Sequence, residues 1–254
     1  MRPIAAVAAL LLCLNAGAAA ATGVTAVFPS GSEVPENLLR ISIQFDQASG
    51  GDALDHLALR LANGKILQHA FYPQPLWSPD GRRLTVLLDP ARVKLGLAAH
   101  RRFGRPLHRG ECVDLLLHGN TIKHWCVKTE DDVSPTPAHW HRGSIVPGSE
   151  QPLQVEFGVP IDVQSKELIA VADPLGRRVG GASELVDHET RWRFTPDRPW
   201  GKGPYQLVVS GALEDAAGNS VTQTFEYRKP LAGIEDHRDI RLPLISRNHV
   251  SPMP

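Results

Sequence analysis

What this chain lacks narrows it first. Lys plus Arg and Asp plus Glu both total 27, so the net charge is zero. The basic stripe that nucleic acid demands is not expected. Beyond the first two dozen residues, no apolar run approaches the ~20 residues of a membrane span. Helical periodicity is weak everywhere, and its best stretch, Pro90 to Ala99, makes at most about two turns. The serines of Ser30-Gly-Ser32 and Gly181-Ala-Ser183 lie in no Gly-x-Ser-x-Gly elbow. No carboxylate pair stands out from the turn aspartates. Catalysis is therefore not expected, and no cofactor is implied.

The N-terminus reads as a targeting segment. Arg2 gives the positive start, Ile4 to Leu14 the apolar stretch, and Ala16 to Ala21 the small residues before a cleavage site. Residues 1–22 are thus expected to be removed as a signal peptide, leaving a chain that starts near Ala21 to Val24. Cys13 follows Leu10, Leu11 and Leu12 rather than a small residue, which argues against a lipid anchor. The expectation is an exported protein, periplasmic or extracellular, with no transmembrane segment after processing.

Of three cysteines, Cys112 and Cys126 remain after processing, and an even count in an oxidising compartment predicts a disulfide. The intervening residues read as a hairpin turning at His118-Gly119-Asn120. Centring it on Gly119 sets Cys112 opposite Cys126 and Asp114 opposite His124. The two-residue period then puts Val113, Leu115, Leu117, Trp125 and Val127 on the core face. Closing a loop of this length stabilises by about 3 kcal/mol in the chain-entropy model.

Elsewhere, alternation predicts half-buried strands at Ile41/Ile43/Phe45, Leu57/Leu59/Leu61, Leu84/Val86/Leu88, Leu153/Val155/Phe157, Trp192/Phe194 and Tyr205/Leu207/Val209. Asn63-Gly64, Pro79-Asp80-Gly81, Gly201-Lys202-Gly203 and Ala217-Gly218-Asn219 supply turns. One pattern occurs twice. Pro29-Ser-Gly-Ser-Glu-Val-Pro35 precedes Ile41 to Phe45, and Pro147-Gly-Ser-Glu-Gln-Pro152 precedes Leu153 to Phe157. Each copy runs on to a Trp…Pro-Asp element, Trp77 to Asp80 and Trp192 to Asp197. Repetition with short strands and frequent turns predicts an all-β chain of two sandwich domains. The expected domains are 24–128 and 138–229, joined by an acidic, proline-bearing linker at 129–137, with a tail at 230–254. That tail holds one strand, Ile240 to Ile245, and another is expected from Val221 to Tyr227.

The second domain resembles the Ig-like module of bacterial S-layer and surface proteins. The resemblance rests on Phe157-Gly-Val-Pro-Ile-Asp162, Ile169-Ala-Val-Ala-Asp-Pro-Leu-Gly176, Phe194-Thr-Pro196, Tyr205-Gln-Leu-Val-Val209 and the closing Asp215-Ala-Ala-Gly-Asn219. The first domain matches in part; the disulfide hairpin stands where the closing turn would be. The resemblance implies two tandem Ig-like β-sandwich domains and an exported location, and it carries no catalytic residues.

For function, the sequence points to a non-catalytic binding or scaffold protein of the bacterial envelope, with a protein or cell-envelope component as partner. Trp140, Trp200 and Arg198 are the candidate contacts, since exposed Trp and Arg anchor interfaces; Trp77 and Trp192 are expected in the core. A second reading is a periplasmic Zn or Cu protein, which requires at least three of Asp114, His118, His124, His139 and His141 to converge. A third is a carbohydrate-binding surface, which needs a coplanar exposed Trp pair. Asp215 to Asn219, with Glu214, reads as a tight turn rather than a calcium loop, and Glu130-Asp131-Asp132 as solvated linker.

Overall fold

A computed structural model describes residues 23–49, 51–226 and 238–246. The expected signal peptide, the last residue of the expected strand from Val221 to Tyr227, and residues 230–237 and 247–254 of the tail lie outside them. Among the described residues, sixteen strands form four four-stranded sheets. The first eight are β1 (Val24–Phe28), β2 (Glu33–Pro35), β3 (Arg40–Phe45), β4 (Leu57–Leu61), β5 (Leu76–Trp77), β6 (Arg83–Leu87), β7 (Cys112–Leu117) and β8 (Asn120–Lys128). They make sheets ordered β1-β3-β6-β5 and β2-β8-β7-β4. The other eight are β9 (His141–Arg142), β10 (Ser144–Ile145), β11 (Leu153–Glu156), β12 (Ile169–Ala172), β13 (Gly181–Val186), β14 (Arg191–Pro196), β15 (Tyr205–Val209) and β16 (Ile240–Ser246). Their sheets run β9-β11-β14-β13 and β10-β16-β15-β12. Counted from its own first strand, the second set repeats the order of the first. Even the two parallel pairings correspond, β2 with β8 and β10 with β16.

Each sheet pair encloses one apolar cluster. In the first unit, Ile41, Ile43, Leu84 and Val86 of one sheet meet Leu59, Leu115, Trp125 and Val127 of the other. In the second, Val155, Trp192 and Phe194 meet Val171, Leu207 and Val209. These are the inward members of the alternating runs, as a half-buried strand requires. Away from its tip the hairpin has the expected register: Cys112 opposes Cys126, Val113 opposes Trp125 and Asp114 opposes His124, whereas a shift between Leu115 and Leu116 sets Leu117 opposite Asn120 at the turn. Cys112 and Cys126 are disulfide-bonded, with Cα atoms 4.0 Å apart. His118 and Gly119 take positive φ at the turn, as a two-residue hairpin loop of right-handed strands demands.

Two expectations about secondary structure are corrected. The stretch from Pro90 splits into α1 (Pro90–Val93) and α2 (Ala98–Phe103), because Gly96 between them sits at φ 76°. Residues 221–226 form bends and turns, not a strand. They cross to the first unit, where the Phe225 carbonyl accepts from Lys94 Nζ at 2.9 Å. The position beside β15 is filled by β16, the expected tail strand.

The acidic connector is not solvated along its length. Asn37 grips the Asp131 main chain from both sides, accepting its amide at 2.8 Å and donating to its carbonyl at 2.7 Å. Pro135 and Pro137 are buried.

Candidate functional site

A set of buried polar contacts gathers at the seam between the two units. The turn from Asp215 to Asn219 lies against the start of β3, and the Ala216 carbonyl accepts from the amides of both Leu39 and Arg40, each at 2.9 Å. Arg40 also pairs with Glu214. Gly218 has φ 87°, and a Cβ there would lie 2.8 Å from Leu39 Cδ2, so glycine is required both for the turn and for the approach. Both carboxylate oxygens of Asp215 are taken by donors. Oδ1 accepts the amides of Ala217 and Asn219 at 2.8 and 2.9 Å, and Oδ2 accepts Asn219 Nδ2 at 2.8 Å. The turn therefore has a structural role, as its sequence suggests. Burial, with Asp131 nearby, pushes the Asp215 carboxyl up to about 7 despite these donors.

A second strut joins Pro29-Ser30 to the β13–β14 turn. Ser30 Oγ lies 3.2 Å from His188 Nδ1, and the Ser30 amide donates to Glu189 Oε2 at 2.8 Å. Asp187, His188 and Glu189 all take positive φ, between 52° and 62°. A serine, a histidine and an acid thus meet, but the acid serves the serine's main chain instead of orienting the imidazole. A nucleophile needs a base held by a third group; this arrangement fastens two units together.

The third strut is Arg105, only 7% exposed, whose guanidinium faces Glu36 and Glu130 at 2.7 Å and Glu226 at 3.6 Å. These acids come from the end of the first unit's β2, the connector, and the segment that crosses back.

The five candidate metal ligands do not assemble. Asp114 and His124 pair at 2.8 Å, and Arg60 holds Asp114 at 2.7 Å. Hydrogen bonds from Arg60 and His124 keep the Asp114 carboxyl below the usual range. His118 sits at the hairpin tip with its ring 4.3 Å from that of His56. His139 lies in a 3-10 turn while His141 is on β9, so the two share no strand face.

The candidate contact tryptophans are corrected. Trp200 and Trp140 are 3% and 4% exposed. Trp200 donates to the Gln151 carbonyl at 2.8 Å and meets Tyr205 edge-on at 5.4 Å; Trp140 packs on Phe157 at 4.6 Å. Both lie outside the regular strands, Trp140 directly after the 3-10 turn at Pro137–His139 and Trp200 past the end of β14, where strand alternation does not register burial. Arg198 is exposed and lines an open cleft of about 400 Å³ with Asp173, Asp197, Trp200 and Tyr205. Trp192 is fully buried as expected, whereas Trp77, on the short edge strand β5, is half-buried.

Sequence reasoning missed the crossover between β6 and β7. Leu95, Leu97 and Phe103 are 41%, 42% and 54% exposed. Arg101, Arg102 and Arg109 of the same crossover are also exposed. No acid occurs between Asp89 and Glu111, a local signal that the zero net charge hides.

No protein-family model matches the chain, and no curated protein sequence matches it. Solved structures with partial similarity include domains 5-6 of the S-layer protein SbsC, at 12% identity, 87% of this chain, 96% of that one and TM-score 0.22. The N-terminal Ig1-2 module of the Drosophila receptor protein tyrosine phosphatase DLAR matches at 13% identity, 83% and 91% coverage and TM-score 0.21. The Group B Streptococcus pullulanase SAP matches at 11% identity over 75% of this chain, with TM-score 0.24; this chain spans only 21% of it. The architecture rests on the strand order and register above.

Proposed function

We propose that this is an exported, non-catalytic binding or scaffold protein of the bacterial envelope, built of two tandem Ig-like β-sandwiches behind a cleaved signal peptide. The shared strand order supports the duplicated sandwich. Its sheets correspond to the four-plus-three strand arrangement of immunoglobulin-like domains, with a short extra strand pairing in parallel with the last. The Cys112–Cys126 bond supports an oxidising compartment, periplasmic or extracellular. Among the described residues, no helix is long and apolar enough to cross a membrane.

The observation that carries the binding role is the division of labour between seam and surface. Ser30, His188, Glu189, Asp215 and Arg105 are engaged in fixing one unit against the other. The exposed apolar side chains Leu97 and Phe103, flanked by Arg101 and Arg102, stand clear of that work. Apolar and arginine side chains together form the composition of an interface core. Neither alternative finds its required geometry: the five metal candidates bring only Asp114 and His124 together, and none of the five tryptophans is exposed.

The test is a photo-crosslinking residue placed at Phe103 in the exporting cell, with the 74%-exposed Leu175 as the control position. A discrete adduct at 103, lost on Arg102→Glu and absent at 175, supports the reading. Equal or no cross-linking at the two positions overturns it.

A further inference from the structure

The solvent face of the disulfide hairpin carries a second chemistry. Cys112 opposes Cys126, and two residues along, on the same face, Asp114 opposes His124. A ligand atom from each of Cys112, Cys126 and His124 lies within 4.8 Å of the others, the one such set of three among the described residues. The imidazole is already aimed. Its Nδ1 is held by Asp114 Oδ1 at 2.8 Å, which leaves Nε2 turned toward Cys126 Sγ at 4.0 Å. Asp114 is fixed in turn by Arg60 at 2.7 Å. A carboxylate on one ring nitrogen with the other free is the arrangement that orients metal-bound histidines.

We propose that reduction of the Cys112–Cys126 bond opens a Zn(II) site composed of Cys112 Sγ, Cys126 Sγ and His124 Nε2, with water completing the tetrahedron. Two thiolates and an imidazole with one open position are an established zinc donor set. A dithiol or phosphine reductant supplies two electrons and is itself oxidised, and the sulfurs take up two protons as thiols. Zinc then displaces both protons to solvent as it binds the thiolates. In the oxidised chain the sulfurs are bonded to each other and the site is closed, so metal binding is gated by redox state. The hairpin need not open for this. Val113, Leu115, Trp125 and Val127 anchor its other face in the core, and the Cys126 amide donates to the Ser32 carbonyl at 2.9 Å. Asp114 acts here as a positioning residue.

The experiment is titration of the full chain, oxidised and phosphine-reduced, with Co(II) and then Zn(II). Thiolate-to-cobalt charge-transfer absorption is followed, and circular dichroism monitors the fold. The expected result is one equivalent of Co(II), displaced by Zn(II), bound by the reduced chain only. His124→Ala, which keeps both cysteines, should weaken binding at least about tenfold, and Asp114→Asn about 10- to 100-fold. Equal binding by the oxidised chain, unchanged affinity in reduced His124→Ala, or loss of the β signal on reduction would each overturn the proposal.

Discussion

Asn219 donates its side-chain amide to the Asp215 carboxylate at 2.8 Å, both residues being 1% exposed in a turn pressed against the first unit. The pair makes the seam pH-sensitive. Burial raises the Asp215 carboxyl from 3.8 to about 7, so between those values the folded chain holds a proton that the unfolded chain has released. The resulting stabilisation is complete below pH 4 and is lost as pH rises toward 7, by at most about 4 kcal/mol. Thermal melts should therefore show wild type losing stability relative to Asp215→Asn across that window. Parallel profiles for the two proteins would remove Asp215 as the titrating group.

Gly218→Ala should destabilise by at least about 1–3 kcal/mol, since alanine at positive φ is strained and its Cβ would meet Leu39 Cδ2 at 2.8 Å. Denaturant unfolding measures it. Gly64 also takes positive φ, at 83°, but a Cβ there would have no neighbour within 4 Å. Gly64→Ala carries only the conformational part and should cost less than Gly218→Ala.

The two positions also mark what the sequence can and cannot disclose. The hairpin's faces and the pairing of Cys112 with Cys126 and of Asp114 with His124 were legible from alternation about Gly119, but its tip was not: Leu117 opposes Asn120 across a two-residue loop, and a register shift between Leu115 and Leu116 restores the pairing farther along. The paired strand patterns likewise give the repeated order of elements. The seam was hidden, because Asp131, Asp215 and Asn219 are ordinary turn residues until another unit buries them. Residues 221–226 read as a strand, yet that segment bends across to the first unit, and β16 is the strand that pairs with β15. Trp140 and Trp200 read as exposed because loop residues have no period from which burial follows.

Arg105→Met should be among the more damaging substitutions at the seam. It leaves the carboxylates of Glu36, Glu130 and Glu226 facing an apolar side chain, and removing one partner of a buried ion pair costs about 3–5 kcal/mol. The partial exposure of the acids sets this case at the lower end. Glu226→Gln, whose contact is 3.6 Å, should cost less overall but should increase proteolytic cleavage within residues 221–226. Equal midpoints for wild type and Arg105→Met would show that the three acids do not depend on this guanidinium.

Trp200 and Phe103 separate core from contact surface most directly. Trp200 is 3% exposed and Phe103 54%, although sequence reasoning assigned the contact role to Trp200. Truncating a buried tryptophan removes apolar burial and leaves a cavity, so Trp200→Ala should cost about 3–5 kcal/mol. It also orphans the Gln151 carbonyl that accepts from the indole at 2.8 Å. Phe103→Ser removes an exposed ring that lies under the Arg102 guanidinium, 4.8 Å from its centroid. Its effect on stability should stay within about 0.5 kcal/mol. Urea midpoints measure both. If Phe103→Ser proves as destabilising as Trp200→Ala, the crossover between β6 and β7 belongs to the core and the proposed contact surface is lost.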